Sequence, residues 1–103
     1  MRAVFSAQDG GRWMEFTWKD TNAEFLPEGG ILAQAGPVEV RANGEALEFI
    51  GKGWKRIVTL QGSAVTMEQS TPLPQETLAT GKHGNLTFTA DRPAPTRAVY
   101  SVN

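Results

Sequence analysis

The sequence predicts an all-β protein, a small antiparallel β-barrel or β-sandwich of about 8–9 short strands built from sequential hairpins. Apolar and polar residues alternate from end to end, and a period of two is typical of strands with one buried face. Turn-forming residues interrupt this alternation at short, regular intervals, as they do in sandwiches and barrels. The best helical candidate, residues 22–36, contains Pro27 and the Gly29-Gly30 pair, which leave at most one helical turn.

The N-terminal segment is expected to form a hairpin. Strands over residues 2–7 and 13–19 flank Asp9-Gly10-Gly11-Arg12, whose residues favour a turn. Alternation in the second strand assigns Met14, Phe16 and Trp18 to the core and places Trp13 on the other face with Glu15, Thr17 and Lys19. On an exposed face, Trp13 would be a flat platform for a sugar ring or another protein chain. In a closed sandwich it would instead pack beneath a loop such as residues 24–27.

Two further hairpins are each centred on a pair that ends in glycine. Asn43-Gly44 favours a type I′ turn, because that turn needs positive φ at both central residues. This register pairs Ala42 with Glu45, Val40 with Leu47, and Val38 with Phe49. A loop at Gln61-Gly62 pairs Leu60 with Ser63, Val58 with Val65, and Lys55 with Glu68. In both registers the apolar pairs share one face, which supports the pairing independently of the turn.

A fourth hairpin is expected across residues 81–85, between strands over 76–80 and 86–90. The last strand, residues 97–102, follows a proline-stiffened connector over 92–96. We expect this strand to return to its own sheet, with pairing to the sheet edge of a second subunit as the alternative. Gly81-Lys82-His83-Gly84 matches the GXXG string of KH domains, but that loop joins two helices and both flanks here are extended. His83 is therefore expected to be an exposed turn residue.

A chain of 103 residues is long enough for one domain, spanning 1–103, that folds without a metal or a disulfide. The expected core collects the apolar residues on the inner faces of the strands: Phe5, Met14, Phe16, Trp18, Val38, Val40, Leu47, Phe49, Val58, Leu60, Val65, Met67, Leu78, Leu86 and Phe88. No apolar run exceeds three residues, so no membrane span and no secretory signal are expected, and the default location is cytoplasmic.

The segment Gly51-Lys52-Gly53-Trp54-Lys55-Arg56 concentrates three cations and an indole. Lys52, Trp54, Lys55 and Arg56 could together bind an anionic ligand or a partner, with the glycines allowing close backbone approach. The alternative is an ordinary strand connection in which Trp54 covers one end of the core and the cations are solvated. Nucleic acid is disfavoured as a partner because the net charge of the chain is −1.

Two carboxylates form the one candidate for catalysis. The Asn43-Gly44 register places Glu39 opposite Glu48, and like charges opposite one another are unfavourable on a sheet. Such a pair could perform acid–base chemistry or grip a cation. The alternative is that Arg41, or a lysine on a neighbouring strand, offsets the repulsion.

Composition excludes several kinds of function. There is no cysteine and one histidine, so thiol nucleophiles, disulfides, thiolate zinc sites and multi-histidine metal sites are absent, and no cofactor is expected. The sequence thus favours a non-catalytic small binding module that recognises a protein partner or a small ligand. Trp13 and the cationic turn at Lys52, Trp54, Lys55 and Arg56 are its candidate binding residues. The alternatives are a structural protein that assembles through strand edges, for instance as a homodimer, and a small enzyme using Glu39 and Glu48.

Overall fold

The computed structural model describes residues 2–18, 23–26, 30–34, 37–74, 81–83 and 86–102. These residues contain no helix, which confirms the all-β prediction. Eight strands have five residues or more, and two are shorter. The strands are β1 (Arg2–Ser6), β2 (Arg12–Trp18), β3 (Ala23–Glu24), β4 (Glu39–Asn43), β5 (Ala46–Gly51), β6 (Trp54–Gln61), β7 (Ala64–Gln69), β8 (Gly81–His83), β9 (Leu86–Ala94) and β10 (Arg97–Val102).

The strands form two antiparallel sheets. A three-stranded sheet has the order β1-β2-β3, and a seven-stranded sheet has the order β4-β5-β6-β7-β10-β9-β8. Neither sheet closes on itself, so of the two predicted architectures the chain adopts the sandwich-like one. No helix in the described part of the chain is both long enough and apolar enough to cross a bilayer.

The larger sheet combines two runs of hairpins. Strands β4 to β7 follow one another across the sheet, whereas the chain after β7 passes to the far edge and returns through β8, β9 and β10. This is a Greek-key connection, in which a long crossover brings a later strand beside an earlier one. The C-terminal strand β10 consequently pairs with β7 on one side and β9 on the other. The prediction that it returns to its own sheet is confirmed, and it offers no free edge to a second subunit.

Both glycine hairpins exist, but their predicted registers are wrong by two residues. Asn43 pairs with Ala46 and Val40 with Phe49, so the central turn residues are Gly44 and Glu45. Positive φ occurs only at the first of these, Gly44, at 62°, which is typical of a type II′ turn. The next hairpin repeats this arrangement, with Gly62 at 56° and Leu60 opposite Val65. A shift of two leaves every side chain on its predicted face.

A β-bulge corrects the face assigned to Trp13. Phe5 pairs with Trp13, and the residue before it, Val4, pairs with Glu15. Met14 therefore has no partner of its own on β1 and is an extra residue on β2. An extra residue reverses the alternation beyond it. As a result Trp13 and Phe16 are both fully buried, and their rings lie 4.9 Å apart. The prediction that Trp13 lies on the face away from the core is wrong.

Aromatic rings fill the space between the two sheets. Trp13 packs edge-on against Tyr100 at 4.9 Å and Phe16 against Phe88 at 5.8 Å. The core also contains residues that the alternation did not predict, among them Phe25, Leu26, Ile31 and Leu32 from the irregular segment after β2. Among the predicted core residues, Val40 and Leu60 are instead 42% and 37% exposed. Leu78 and the side chain of Trp18 lie outside the described residues.

A fourth hairpin is present, but its first described strand lies within residues 81–85, which were predicted to form the turn. Gly81 to His83 form β8, and His83 pairs with Leu86, so this part of the GXXG string is strand rather than loop. The predicted strand over 76–80 lies outside the described residues. Pro93 lies within β9, so part of the expected connector over 92–96 is also strand.

Candidate functional site

The turn at residues 51–56 does not present a tryptophan platform. Gly51 pairs with Trp54, and Lys52 and Gly53 form the exposed turn between them. The indole of Trp54 lies over Gly51 so closely that a Cβ built there would fall 2.2 Å from the ring. Trp54 is only 8% exposed. It covers one end of the core, as the alternative interpretation of this segment expected.

Lys55 and Arg56 point to opposite faces of β6. The ammonium of Lys55 lies 2.9 Å from a carboxylate oxygen of Glu48 on β5. The predicted Lys55–Glu68 pair is therefore wrong, because the shifted register places Ile57 opposite Glu68. Glu68 instead pairs with Arg97 of β10 at 3.4 Å.

Arg56 is fully buried on the inner face of the large sheet. Its Nε donates a 2.8 Å hydrogen bond to Gln69 Oε1, and Nη1 donates one of 3.1 Å to the carbonyl of Gly11. The guanidinium also lies 5.5 Å from the ring centre of Trp54. Its Nη2 is buried without a hydrogen-bond partner. Burial lowers the pKa of Arg56 to about 10, although Tyr100 opposes the shift.

These contacts give Arg56 a structural role inside the protein, and its guanidinium is not part of the surface. One side chain ties β6 to β7 through Gln69 and to the β1–β2 turn through Gly11. Only Lys52 and Lys55 of the predicted cationic cluster are exposed. Because the indole of Trp54 and the guanidinium of Arg56 are buried, the four predicted binding residues do not share one exposed surface.

The candidate carboxylate pair is also not formed. Arg41 lies opposite Glu48, and Glu39 lies opposite Ile50. Each carboxylate has its own cation, since Glu39 contacts Arg41 at 3.1 Å and Glu48 contacts Lys55. Glu39 and Glu48 are therefore not directly opposite one another, and a different cation pairs with each of them.

The structure assembles a different feature, an apolar groove of about 200 Å³ between β1 and the strands β5, β6 and β7. Its lining consists of Ala3, Phe5, Glu45, Leu47, Val58, Leu60 and Val65. Six of these residues are apolar. Glu45 is the one carboxylate in this lining, and it makes no ion pair with any residue that the structure describes.

The groove exists because the small sheet covers only part of the large one. At one end Val38 N–H donates a 2.9 Å hydrogen bond to the carbonyl of Ala7, which joins the two sheets beside β1. There the ring of Phe5 packs on Phe49 at 5.4 Å. Towards the other end the described residues leave Leu60, which lies on the inner face, 37% exposed. The alternation of apolar and polar residues predicts that Leu60 points towards the inner face. It does not predict that Leu60 stays partly exposed, because the alternation contains no information about the order of the strands.

A second cavity, of about 330 Å³, lies among the prolines at the end of β9, lined by Pro72, Leu73, Arg92, Pro93, Ala94 and Pro95. Arg92 donates hydrogen bonds to the carbonyls of Pro74 at 2.8 Å and Leu73 at 3.4 Å. The backbone N–H of Leu73 in turn donates to the carbonyl of Pro95 at 2.9 Å. These bonds fasten the crossover segment to β9, so Arg92 has a structural role here.

The described ranges contain no group of three or more His, Cys, Asp or Glu side chains that could hold a metal ion. Comparison with protein-family models, with curated proteins and with solved structures finds no match to this chain. The apolar groove is therefore the feature of the described residues on which a function can be proposed.

Proposed function

We propose that this protein is a non-catalytic binding module whose apolar groove takes one apolar side chain of a partner polypeptide. The observation that carries the proposal is the groove itself, with its apolar lining and its opening at Leu60, which is 37% exposed. Covering the apolar surface that is still exposed in the groove would contribute roughly 25 cal/mol per Å² to the free energy of binding. The lining of the groove is apolar apart from Glu45, which suits it to an apolar side chain of a partner.

The size of the groove favours a side chain over a free metabolite. Pockets for small ligands usually enclose about 300–1,000 Å³, whereas this one encloses about 200 Å³. A single Leu or Phe side chain can fill such a space, while the rest of the partner lies outside it. A partner polypeptide is therefore favoured over the small-molecule alternative. A cytoplasmic location and a homodimeric state remain predictions made from the sequence.

A peptide titration tests this proposal. The probe is acetyl-Ser-Thr-Leu-Thr-Ser-amide, and the same peptide with its leucine replaced by serine is the control. We expect saturable changes in the methyl NMR signals of Leu47, Val58 and Leu60 with the leucine peptide alone.

Two aspartate substitutions make the test specific to the groove. Leu60→Asp places a charge in the groove and should abolish the response. Val40→Asp introduces the same charge at a comparably exposed position, 42% against 37%, that does not line the groove, and it should leave the response intact. The proposal fails if the leucine peptide gives no saturable change, or if both substitutions abolish the response equally.

A further inference from the structure

The groove runs alongside a strand edge that has free hydrogen-bonding groups. Among the described strands of the small sheet, β1 is outermost and pairs with β2 alone. Trp13, which lies opposite Phe5, uses its N–H and carbonyl on Ile31 at 2.8 and 2.9 Å. Phe16, opposite Ala3, likewise accepts a hydrogen bond from Phe25 on the far side of β2. Since both backbone partners point away from β1, Ala3 and Phe5 direct their own N–H and carbonyl groups away from β2.

The chain itself already uses one end of this edge. Ala7 follows Ala3 and Phe5 at intervals of two residues, so its backbone groups point to the same side as theirs. Its carbonyl accepts the hydrogen bond from Val38 N–H. The chain then continues from Val38 into β4, whose neighbour among the described strands is β5. The edge of β1 is therefore capped at Ala7, while the groups of Ala3 and Phe5 beyond it face the groove that their side chains line.

Charge indicates what can occupy this edge. Glu45 is the carboxylate of the groove and has no counter-ion among the described residues. The other two carboxylates of the β4–β5 hairpin, Glu39 and Glu48, are both paired with cations. A second copy of this chain docked groove to groove would bring two Glu45 carboxylates together, which is unfavourable. A segment with a basic residue would instead complement Glu45.

We infer that the groove recognises an extended segment of a different protein, which adds as a strand to the free edge of β1. Its apolar side chain enters the groove, and a lysine or arginine two residues away meets Glu45, because side chains at i and i+2 share one face of a strand. Main-chain hydrogen bonds to Ala3 and Phe5 hold the segment, and the groove and Glu45 select its sequence. This inference rests on the proposed function and specifies the partner of the same groove.

Backbone methylation separates strand addition from simple insertion of a side chain. The probe is acetyl-Lys-Thr-Leu-Thr-Lys-amide, which presents a lysine two residues from leucine in either strand direction. One variant is N-methylated at residues 1, 3 and 5, and the other at residues 2 and 4. A strand bonds β1 through alternate residues only, so one pattern should weaken binding about tenfold and the other should have little effect. Equal effects of the two patterns would overturn the inference.

Amide hydrogen exchange locates the new bonds. Binding of the unmethylated lysine peptide should slow exchange at Ala3 and Phe5, whose N–H groups point to the free edge. Val4 is the internal control, because its backbone faces β2 and should show no added protection. Unchanged exchange at Ala3 and Phe5 under saturating peptide would contradict strand addition. If the neutral leucine peptide still binds, that result rejects the edge and keeps the groove, whereas no binding by either peptide rejects both.

Substitution of Glu45 tests the charge preference. The lysine peptide should bind at least about twofold more tightly than acetyl-Glu-Thr-Leu-Thr-Glu-amide, and salt should reduce the difference. Glu45→Gln should remove this preference, whereas Glu39→Gln, which alters a paired carboxylate off the groove, should leave it unchanged. Equal binding of both peptides by the unsubstituted protein would refute the role of Glu45. A dimer in sedimentation that Leu60→Asp dissociates would identify a second copy as the occupant and overturn the inference.

Discussion

Two glycines with the same backbone conformation should tolerate alanine very differently. Gly10 and Gly44 have φ values of 68° and 62°, so Gly10→Ala and Gly44→Ala impose a similar conformational cost. Their surroundings differ. A Cβ at Gly44 would meet nothing within 4 Å, whereas a Cβ at Gly10 would lie 1.8 Å from the carbonyl oxygen of Gln34. The pair of substitutions thus isolates the contribution of close backbone approach to stability.

The expected magnitudes follow from these surroundings. An L-residue in the left-handed region costs about 1–2 kcal/mol, and reduced freedom in the unfolded chain offsets about 0.4–1 kcal/mol of that cost. Gly44→Ala should therefore destabilise the protein by about 1 kcal/mol. Gly10→Ala must also displace the backbone at Gln34, which loses its hydrogen bond to the Gly10 carbonyl and disturbs the buried Ile31 and Leu32 nearby. We expect a loss of at least about 3 kcal/mol, since each of those side chains contributes about 1.5–3 kcal/mol when buried.

Urea unfolding followed by tryptophan fluorescence measures both free energies, and thermal unfolding gives an independent check. In a domain of this size 1 kcal/mol lowers Tm by roughly 4–8 °C. Gly44→Ala should thus lower Tm by about that amount, and Gly10→Ala by more than about 12 °C or to the point of unfolding. Equal losses in the two variants would refute the close approach of the β1–β2 turn to residue 34.

Three other predictions distinguish the structure from the sequence-based interpretation. Trp13→Ala should cost about 3–5 kcal/mol in urea unfolding, because Trp13 is fully buried; a loss below about 0.5 kcal/mol, the usual range for a surface position, would contradict this. Double-mutant cycles should show coupling of up to about 1 kcal/mol between Lys55 and Glu48 and none between Lys55 and Glu68. Since burial lowers the pKa of Arg56 from its usual value to about 10, the folded protein binds fewer protons than the unfolded chain in the pH range between about 10 and that usual value. The contribution of Arg56 to the free energy of unfolding should therefore rise with pH through that window. Arg56→Met should remove this rise, and identical pH profiles for the two proteins would contradict the burial of a charged guanidinium.

Local features of the fold could be predicted because they depend on neighbouring residues. Gly44 and Gly62 each mark a real hairpin, since positive φ at a tight turn strongly favours glycine. The exact register also depends on whether the glycine is the first or the second of the two central turn residues. Gly44 is the first, because Asn43 pairs with Ala46. The Asn-Gly dipeptide alone does not determine this position. The error of two residues was harmless for the faces, but it produced the false Glu39–Glu48 and Lys55–Glu68 pairs.

The candidate site depends on features that act over longer distances. Because Met14 is an extra residue in the strand, Trp13 and Phe16 both point to the core. The alternation of apolar and polar residues does not show where such an extra residue is inserted. Arg56 lies on the inner face in keeping with the period of two, yet its residue type alone suggested solvent. Its burial becomes possible only where Gln69 and the carbonyl of Gly11, distant in sequence, satisfy part of its hydrogen-bonding capacity.

The sequence by itself thus determined the class of structure, the hairpins and, apart from Trp13 beside the bulge, the side of the sheet to which the predicted core side chains point, because these follow from residues a few positions apart. Only the tertiary structure decided which inward-facing residues are covered. Leu60 and Val58 have the same pattern and the same strand, but Val58 is buried while Leu60 is not. Among the described strands, β1 forms the edge of the three-stranded sheet, and the cover that this sheet provides leaves Leu60 37% exposed. The groove forms where the described strands of the small sheet leave part of the large sheet uncovered, and that arrangement is a property of the assembled sheets rather than of any local run of residues.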